Sequence, residues 1–100
     1  MSRFWLSYDL GLRGDYGPLY VWLDNAKARE CGDSTATFQS DKNREQLGKE
    51  LKRAAGARAR LYLVGPNKAG KIVGGFIAGG RKRAPWAGFA ESLAEADEEE

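Results

Sequence analysis

The chain contains no histidine and only one cysteine, Cys31. Without histidine, the Ser-His and Cys-His pairs of many hydrolases cannot form, and most zinc sites lose a usual ligand. A lone cysteine cannot form a disulfide within the chain, so the sequence predicts a reducing, cytoplasmic location and a small buried thiol. The N-terminal residues do not resemble a signal peptide. The longest apolar stretch, residues 72–78, contains two glycines and is far shorter than the about 20 residues of a membrane span, so no membrane partner is expected.

The charged residues are unevenly distributed, although the formal net charge is only +2. Residues 1–90 carry sixteen basic and eight acidic groups, a net of +8, and residues 91–100 carry six acidic groups and no basic one. Within the first part, residues 42–83 hold twelve basic and two acidic groups, a net of +10. A basic region followed by an acidic tail is typical of proteins that handle nucleic acid or another polyanion.

One hundred residues are enough for one domain, and the apolar pattern predicts its elements. Alternation predicts strands over 3–10, 60–64 and 71–80 and a hairpin over 27–39. Helical spacing predicts one helix from Pro18 and another that is capped by Ser40 or Asp41 and closed by Gly56. The order is that of a ferredoxin-like α+β fold, a βαββαβ antiparallel sheet with an additional C-terminal strand. The domain is expected to span residues 1–90. Residues 91–100 form an acidic, disordered tail or, over 91–96, a short helix.

One face of the predicted sheet is too apolar to remain in contact with water. It carries Trp5 together with either Leu61 and Leu63 or Tyr62 and Val64. A sheet with helices on one side normally has a polar open face. The sequence leaves three candidates for what buries this face: the last strand folding back over it, a second subunit in a homodimer, or nucleic-acid bases.

Residues 65–72 (GPNKAGKI) come close to the phosphate-binding pattern GxxxxGK[ST]. Ile72, however, stands where a hydroxyl residue would bind Mg²⁺. The residues after it predict a strand, whereas a phosphate site needs the N-terminus of a helix. The segment is therefore predicted to be a hairpin turn.

Two carboxylates, Asp9 and Asp15, flank the glycine-rich segment that follows the first strand. Mg²⁺ accepts one or two carboxylates together with water and phosphate oxygens, so these residues are candidate metal ligands. The alternative is that Asp9 caps the loop and Asp15 begins the helix. No cofactor is required by the sequence, and Mg²⁺ is the candidate ion.

Several basic residues are candidates for contacts with a phosphate backbone, and Trp86 is a candidate for stacking on a base. The alternative is an ordinary solvated surface with Trp86 tucked into the domain. The candidate phosphate contacts are Arg44, Lys52, Arg53, Arg81, Lys82 and Arg83.

The segments LSYDL (6–10) and RGDYGPLY (13–20) resemble a group of small bacterial and phage proteins known as SinR-like. In that group, a strand ending in SYDL leads into an RDY-x-x-LY helix. The group is similar in turn to the ferredoxin-like CRISPR adaptation subunit and to the VapD toxins. The resemblance implies dimerisation through the sheets and, in nuclease-active members, a Mg²⁺-binding aspartate at the position of Asp9.

These observations together predict a small homodimer with a basic surface that engages DNA, RNA or a complex that handles them. If the protein is an enzyme, it is expected to be a Mg²⁺-dependent nuclease with Asp9 as the catalytic residue. The alternative function is a non-enzymatic phage or mobile-element protein that docks on a host protein.

Overall fold

The computed structural model describes residues 1–81 and 83–98, and within them five strands and three helices. The strands form one antiparallel sheet in the order β2-β3-β1-β4-β5, so the N-terminal strand is central and β2 and β5 are its edges. The predicted α+β class is confirmed, and the arrangement is consistent with a ferredoxin-like fold. In chain order the elements are β1 (Ser2–Asp9), α1 (Gly17–Asn25), β2 (Arg29–Gly32), β3 (Thr35–Ser40), α2 (Arg44–Ala55), β4 (Arg60–Pro66), β5 (Ile72–Ala78) and α3 (Phe89–Glu98).

The core lies between one face of the sheet and helices α1 and α2. Alternation along β1 places Phe4 and Leu6 on this face, and both are buried. The Phe4 ring stacks on Phe38 with ring centroids 5.9 Å apart, and Trp22 of α1 meets Phe38 edge-on at 5.1 Å. The other fully buried large side chains come from both helices and from β4: Leu19, Leu47, Leu51, Leu61 and Leu63.

Two local predictions from the sequence are wrong. The N-cap of α2 is Asn43 rather than Ser40 or Asp41, because Asn43 and Gln46 each accept a hydrogen bond from the other's backbone N–H, both at 2.9 Å. Cys31 is exposed rather than buried, because it lies on β2, a short edge strand whose four residues are all exposed. In the described part of the chain, no helix has both the length and the apolar character needed to cross a bilayer.

Gly65 is required by the packing of Phe4. A Cβ atom built on Gly65 would lie 2.2 Å from Cδ1 of the buried Phe4 ring. This contact explains the first glycine of the phosphate-loop-like pattern, and the positive φ of +80° at Gly70 explains the second. Residues 67–71 connect β4 to β5, so the predicted hairpin turn is confirmed, with β4 extending to Pro66.

Replacing Gly65 by alanine should lower the free energy of unfolding by about 2 kcal/mol, because the ring of Phe4 must move to accommodate the methyl group. Urea denaturation would measure the change. Gly48→Ala is the matched control, since a Cβ there would meet Ile77 at an ordinary 3.8 Å and alanine favours a helix. An unchanged urea midpoint for Gly65→Ala would contradict the explanation.

Candidate functional site

The strand register determines which residues share the open sheet face with Trp5. Trp5 lies opposite Val64 of β4, and Tyr62 is two residues away on the same face of that strand. Leu61 and Leu63 point the other way and are fully buried. Of the two alternatives that the sequence leaves open, the structure therefore places Tyr62 and Val64 on the open face.

The open face carries a cluster of exposed aromatic side chains. Trp5 and Tyr62 are each 37% exposed and Phe76 is 54% exposed. The rings of Tyr62 and Phe76 meet edge-on with centroids 5.1 Å apart. The Tyr62 ring also lies across Gly74 of β5, where a Cβ would come within 2.7 Å of its hydroxyl oxygen. A cluster of this size at the surface of a small domain indicates a contact surface.

The position of β5 excludes it as the element that buries the open face. β5 pairs with β4 at the edge of the sheet and does not fold over the open face. Basic side chains surround the aromatic cluster: Arg3 donates a hydrogen bond to the Thr37 hydroxyl at 3.0 Å, and Arg60 lies opposite Asp9. A second subunit and nucleic-acid bases remain as the candidates for what buries the open face.

Asp9 and Asp15 both serve the loop between β1 and α1. Asp9 Oδ1 accepts a hydrogen bond from the Gly11 N–H at 2.8 Å, and Asp15 Oδ1 accepts one from the Gly17 N–H at 3.0 Å. These are the local turns that the alternative interpretation predicts. Arg60 lies beside Asp9 across the β1–β4 pair and already places a cation there. Among residues 1–81 and 83–98, no group of three or more carboxylate, thiol or imidazole side chains clusters as metal ligands. A Mg²⁺ site that uses one or two carboxylates at Asp9 and Asp15 stays a prediction.

Three tyrosines from the segments that resemble the SinR-like group, Tyr8, Tyr16 and Tyr20, pack together beside this loop. Tyr16 contacts Tyr20 at 5.6 Å and Tyr8 at 6.4 Å between ring centroids. The Tyr16 hydroxyl accepts a hydrogen bond from the Leu10 N–H and donates one to the Gly11 carbonyl. Burial, followed by the neighbouring Tyr20, raises the pKa of the Tyr8 phenol above its ordinary value, so Tyr8 is neutral near pH 7. In this structure the motif residues build the β1–α1 connection.

A basic groove lies on the other side of the sheet, between α2, the β4–β5 turn and β5. Its volume is about 730 Å³. Gly48, Pro66 and Ile77 are among the residues that line it. Four lysines also line it, and we call them the groove lysines: Lys42, Lys49, Lys52 and Lys68.

The groove lysines are only partly neutralised by acidic neighbours. Lys42 pairs with Glu50 at 2.6 Å, and Lys49 lies 3.9 Å from Glu45 in an exposed pair one helical turn apart. An exposed pair of the second kind contributes little. Lys52 and Lys68 make no ion pair with any side chain in the described ranges. The groove therefore presents a surplus of positive charge to an anion.

Arg44 lines the same groove, but its guanidinium holds the fold together. Nη2 donates to the carbonyl of Leu63 and, at 3.5 Å, to that of Gly75, while Nη1 donates to the carbonyl of Val73 at 3.2 Å. The side chain thus ties the first turn of α2 to both strands of the β4–β5 hairpin. Three of its five N–H groups thus donate to backbone carbonyls, and the prediction that Arg44 contacts phosphate stays a prediction.

The remaining candidate phosphate contacts do not gather in the groove. Arg53 lies near the far end of α2, in a small pocket that it shares with Asp15 and Arg58. Arg81 is exposed beyond β5, and Arg83 donates to the carbonyl of Ala87 at 3.2 Å. Trp86 is 76% exposed, so it is not tucked into the domain, and Lys82 lies outside the described residues.

Of the predicted phosphate contacts among the described residues, Arg44 and Lys52 line the groove, and Lys52 makes no side-chain ion pair there. Sequence reasoning missed Lys42, Lys49 and Lys68. The spacing of Lys49 and Lys52, three residues apart on a helix, is a signal that could have paired them. Lys68 carries no comparable signal, since the hairpin brings it to α2 from a distant part of the chain.

Comparison of the chain with protein-family models, with curated proteins and with solved structures finds no match in any of the three.

Proposed function

We propose that this protein is a homodimer of ferredoxin-like subunits that binds nucleic acid, or a complex that handles nucleic acid, through its basic groove. The observation that carries the proposal is the convergence of the four groove lysines from two separate segments of the chain. Lysine ammonium groups bind phosphate as flexible point charges, and several of them along one groove suit a phosphodiester backbone.

The two surfaces take different roles in this proposal. The open sheet face, with Trp5, Tyr62 and Phe76, serves as the contact with the second copy, because its centre is apolar and aromatic. The basic groove lies on the opposite side of the sheet and stays accessible in such a dimer. The SinR-like resemblance, with its relation to the CRISPR adaptation subunit and the VapD toxins, supports both the fold and the dimer. Nuclease activity is not part of this proposal, because Asp9 and Asp15 each accept a hydrogen bond from a backbone N–H of the β1–α1 loop.

Static light scattering at micromolar concentration should give about twice the 11.0 kDa mass of the chain. Trp5→Glu should give the monomer mass, since it places a charge at the centre of the apolar contact. Val21→Glu changes an exposed residue of α1 away from this face and should leave the dimer intact. A wild-type protein that stays monomeric at hundreds of micromolar would contradict the dimer.

Binding to short single- and double-stranded DNA and RNA should weaken steeply as salt is raised from 50 to 200 mM. Each phosphate contact contributes about −0.9 to the slope of log K against log salt on duplex DNA, so four groove lysines predict a slope of roughly −3 to −4. Fluorescence anisotropy over a salt series would measure it. Absence of binding at 50 mM salt would reject the proposal and favour the alternative, a protein that docks on a host protein.

A further inference from the structure

The strand register places two rows of side chains across the open sheet face. Residues that lie directly opposite each other in an antiparallel pair share a face. Arg29 of β2 lies opposite Thr37 of β3, which in turn lies opposite Trp5 of β1. In the next row, Tyr62 of β4 lies opposite Phe76 of β5. The face therefore leads from a cation at the β2 edge to aromatic rings on β1, β4 and β5, over about 19 Å at a strand spacing of about 4.8 Å.

The aromatic rings on β4 and β5 are held in place before any ligand binds. Tyr62 meets Phe76 edge-on at 5.1 Å and lies across Gly74, as described above. Gly80 lies against the second ring, since a Cβ there would be 3.2 Å from Cδ2 of Phe76. Both rings nevertheless keep exposed surface. Rings that are already ordered lose little conformational entropy when a base stacks on them.

A cavity of about 630 Å³ opens beside Trp5. Arg3, Arg29 and Thr37 of the open face line it, and Lys27 lies at the same cavity. The hydrogen bond from Arg3 to the Thr37 hydroxyl holds that guanidinium next to the cavity. Neither Arg3 nor Arg29 makes an ion pair with a side chain in the described ranges, and no described carboxylate lines the cavity. The cavity thus offers positive charge to a phosphate beside a ring that can take a base.

Aromatic rings beside arginines without acidic partners have the chemistry that recognises a single-stranded nucleic acid. The bases of a single strand are free to stack on protein rings, whereas the bases of a duplex already stack on one another. Contact with a second copy of the chain accounts for the rings but not for the cations. Among the described residues that the register places on this face, Asp9 is the one carboxylate, and it lies opposite Arg60.

We propose that the open sheet face of the free subunit binds single-stranded nucleic acid, with bases on Trp5, Tyr62 and Phe76 and phosphates at Arg3 and Arg29. This site is separate from the basic groove, which lies on the other side of the sheet. The binding itself does not depend on the proposed function. One consequence does rest on it: a single strand and a second copy would occupy the same face, so each would exclude the other.

Fluorescence anisotropy with labelled oligo(dT) and oligo(U) of about eight nucleotides tests the site. The measurement uses the variant in which Lys49, Lys52 and Lys68 are replaced by glutamine, which leaves the open face unchanged. The remaining affinity should be higher for the single strands than for a duplex. Adding Phe76→Leu keeps an apolar side chain but removes the ring, and should weaken single-strand binding by roughly tenfold. Adding Phe89→Leu instead makes the same change at a ring of α3 that is 60% exposed, and should leave the binding unchanged.

Equal single-strand affinities for the Phe76→Leu and Phe89→Leu variants would overturn the proposal. So would the absence of single-strand binding, or a remaining affinity that is the same for single strand and duplex. Wild-type protein that binds single strands through Phe76 but binds no duplex would retain the sheet site and reject the groove as a nucleic-acid site.

Static light scattering tests the exclusion between the two ligands of the face. If the proposed dimer holds, an excess of oligo(dT) should convert it to complexes of one chain with one oligonucleotide. A chain that is monomeric without oligonucleotide would reject the dimer and leave the sheet site standing. Dimers that stay intact with oligonucleotide bound through Phe76 would overturn the assignment of both ligands to one face.

Discussion

Replacing Arg44 by methionine should lower the free energy of unfolding by about 3 kcal/mol. Methionine keeps the length of the side chain and removes all the hydrogen bonds that join α2 to Leu63, Val73 and Gly75. Hydrogen bonds from a charged donor contribute about 1.5–3 kcal/mol, and the carbonyls left behind are partly buried. Urea denaturation followed by circular dichroism would measure the loss.

Two further variants separate this role from a general effect of charge. Arg53→Met removes an exposed arginine from the same helix and should change the stability by less than about 0.5 kcal/mol. Arg44→Lys should fall between wild type and methionine, because an ammonium group cannot reach several carbonyls with the geometry of a planar guanidinium. Equal stabilities for Arg44→Met and Arg53→Met would show that the hydrogen bonds to the hairpin contribute nothing.

Replacing Lys49, Lys52 and Lys68 together by glutamine should weaken nucleic-acid binding by roughly 100-fold at 50 mM salt. It should also make the slope of log K against log salt shallower by about 2 to 3, since each phosphate contact contributes about 0.9. Fluorescence anisotropy over a salt series measures both quantities. These side chains are exposed and remote from the core, so the variant should fold like the wild type.

The matched control replaces Arg13, Lys27 and Arg58 by glutamine, which lowers the net charge by the same three units. All three are exposed, and none lines the basic groove. The control should retain most of the affinity and the steep slope. Equal losses in the two triple variants would show that binding follows net charge and not the groove.

The sequence predicts the buried face of β1 because only one of its two sets of alternating side chains is mainly apolar. The same rule fails on β4, where Leu61 and Leu63 are as apolar as Tyr62 and Val64. There the choice depends on the register with β1 and on β5, whose Gly74 makes room for the Tyr62 ring. Long-range pairing of this kind leaves no periodic signal in a single strand.

The residues of the basic groove likewise depend on long-range contacts that the local sequence does not reveal. The excess of basic residues in 42–83 is visible in the sequence, and it covers α2 and the segments that follow. Nothing in the sequence distinguishes Arg44, whose guanidinium donates hydrogen bonds to the β4–β5 hairpin, from Lys52, which lines the groove. Both are basic residues on one amphipathic helix, and only the position of the β4–β5 turn separates their roles.

The central place of β1 in the sheet has a consequence for the order of folding. β1 precedes both of its neighbours, β3 and β4, in the chain, so Trp5 pairs with Thr37 on one side and Val64 on the other only after those strands have been made. Such non-local pairings raise the contact order of a chain and slow its folding relative to helical proteins of similar size. During synthesis, the apolar residues of β1 therefore lack one sheet partner until β3 (Thr35–Ser40) is made and the other until β4 (Arg60–Pro66) is made. The hairpin of β2 and β3 is the first part of the sheet that can form from neighbouring residues alone.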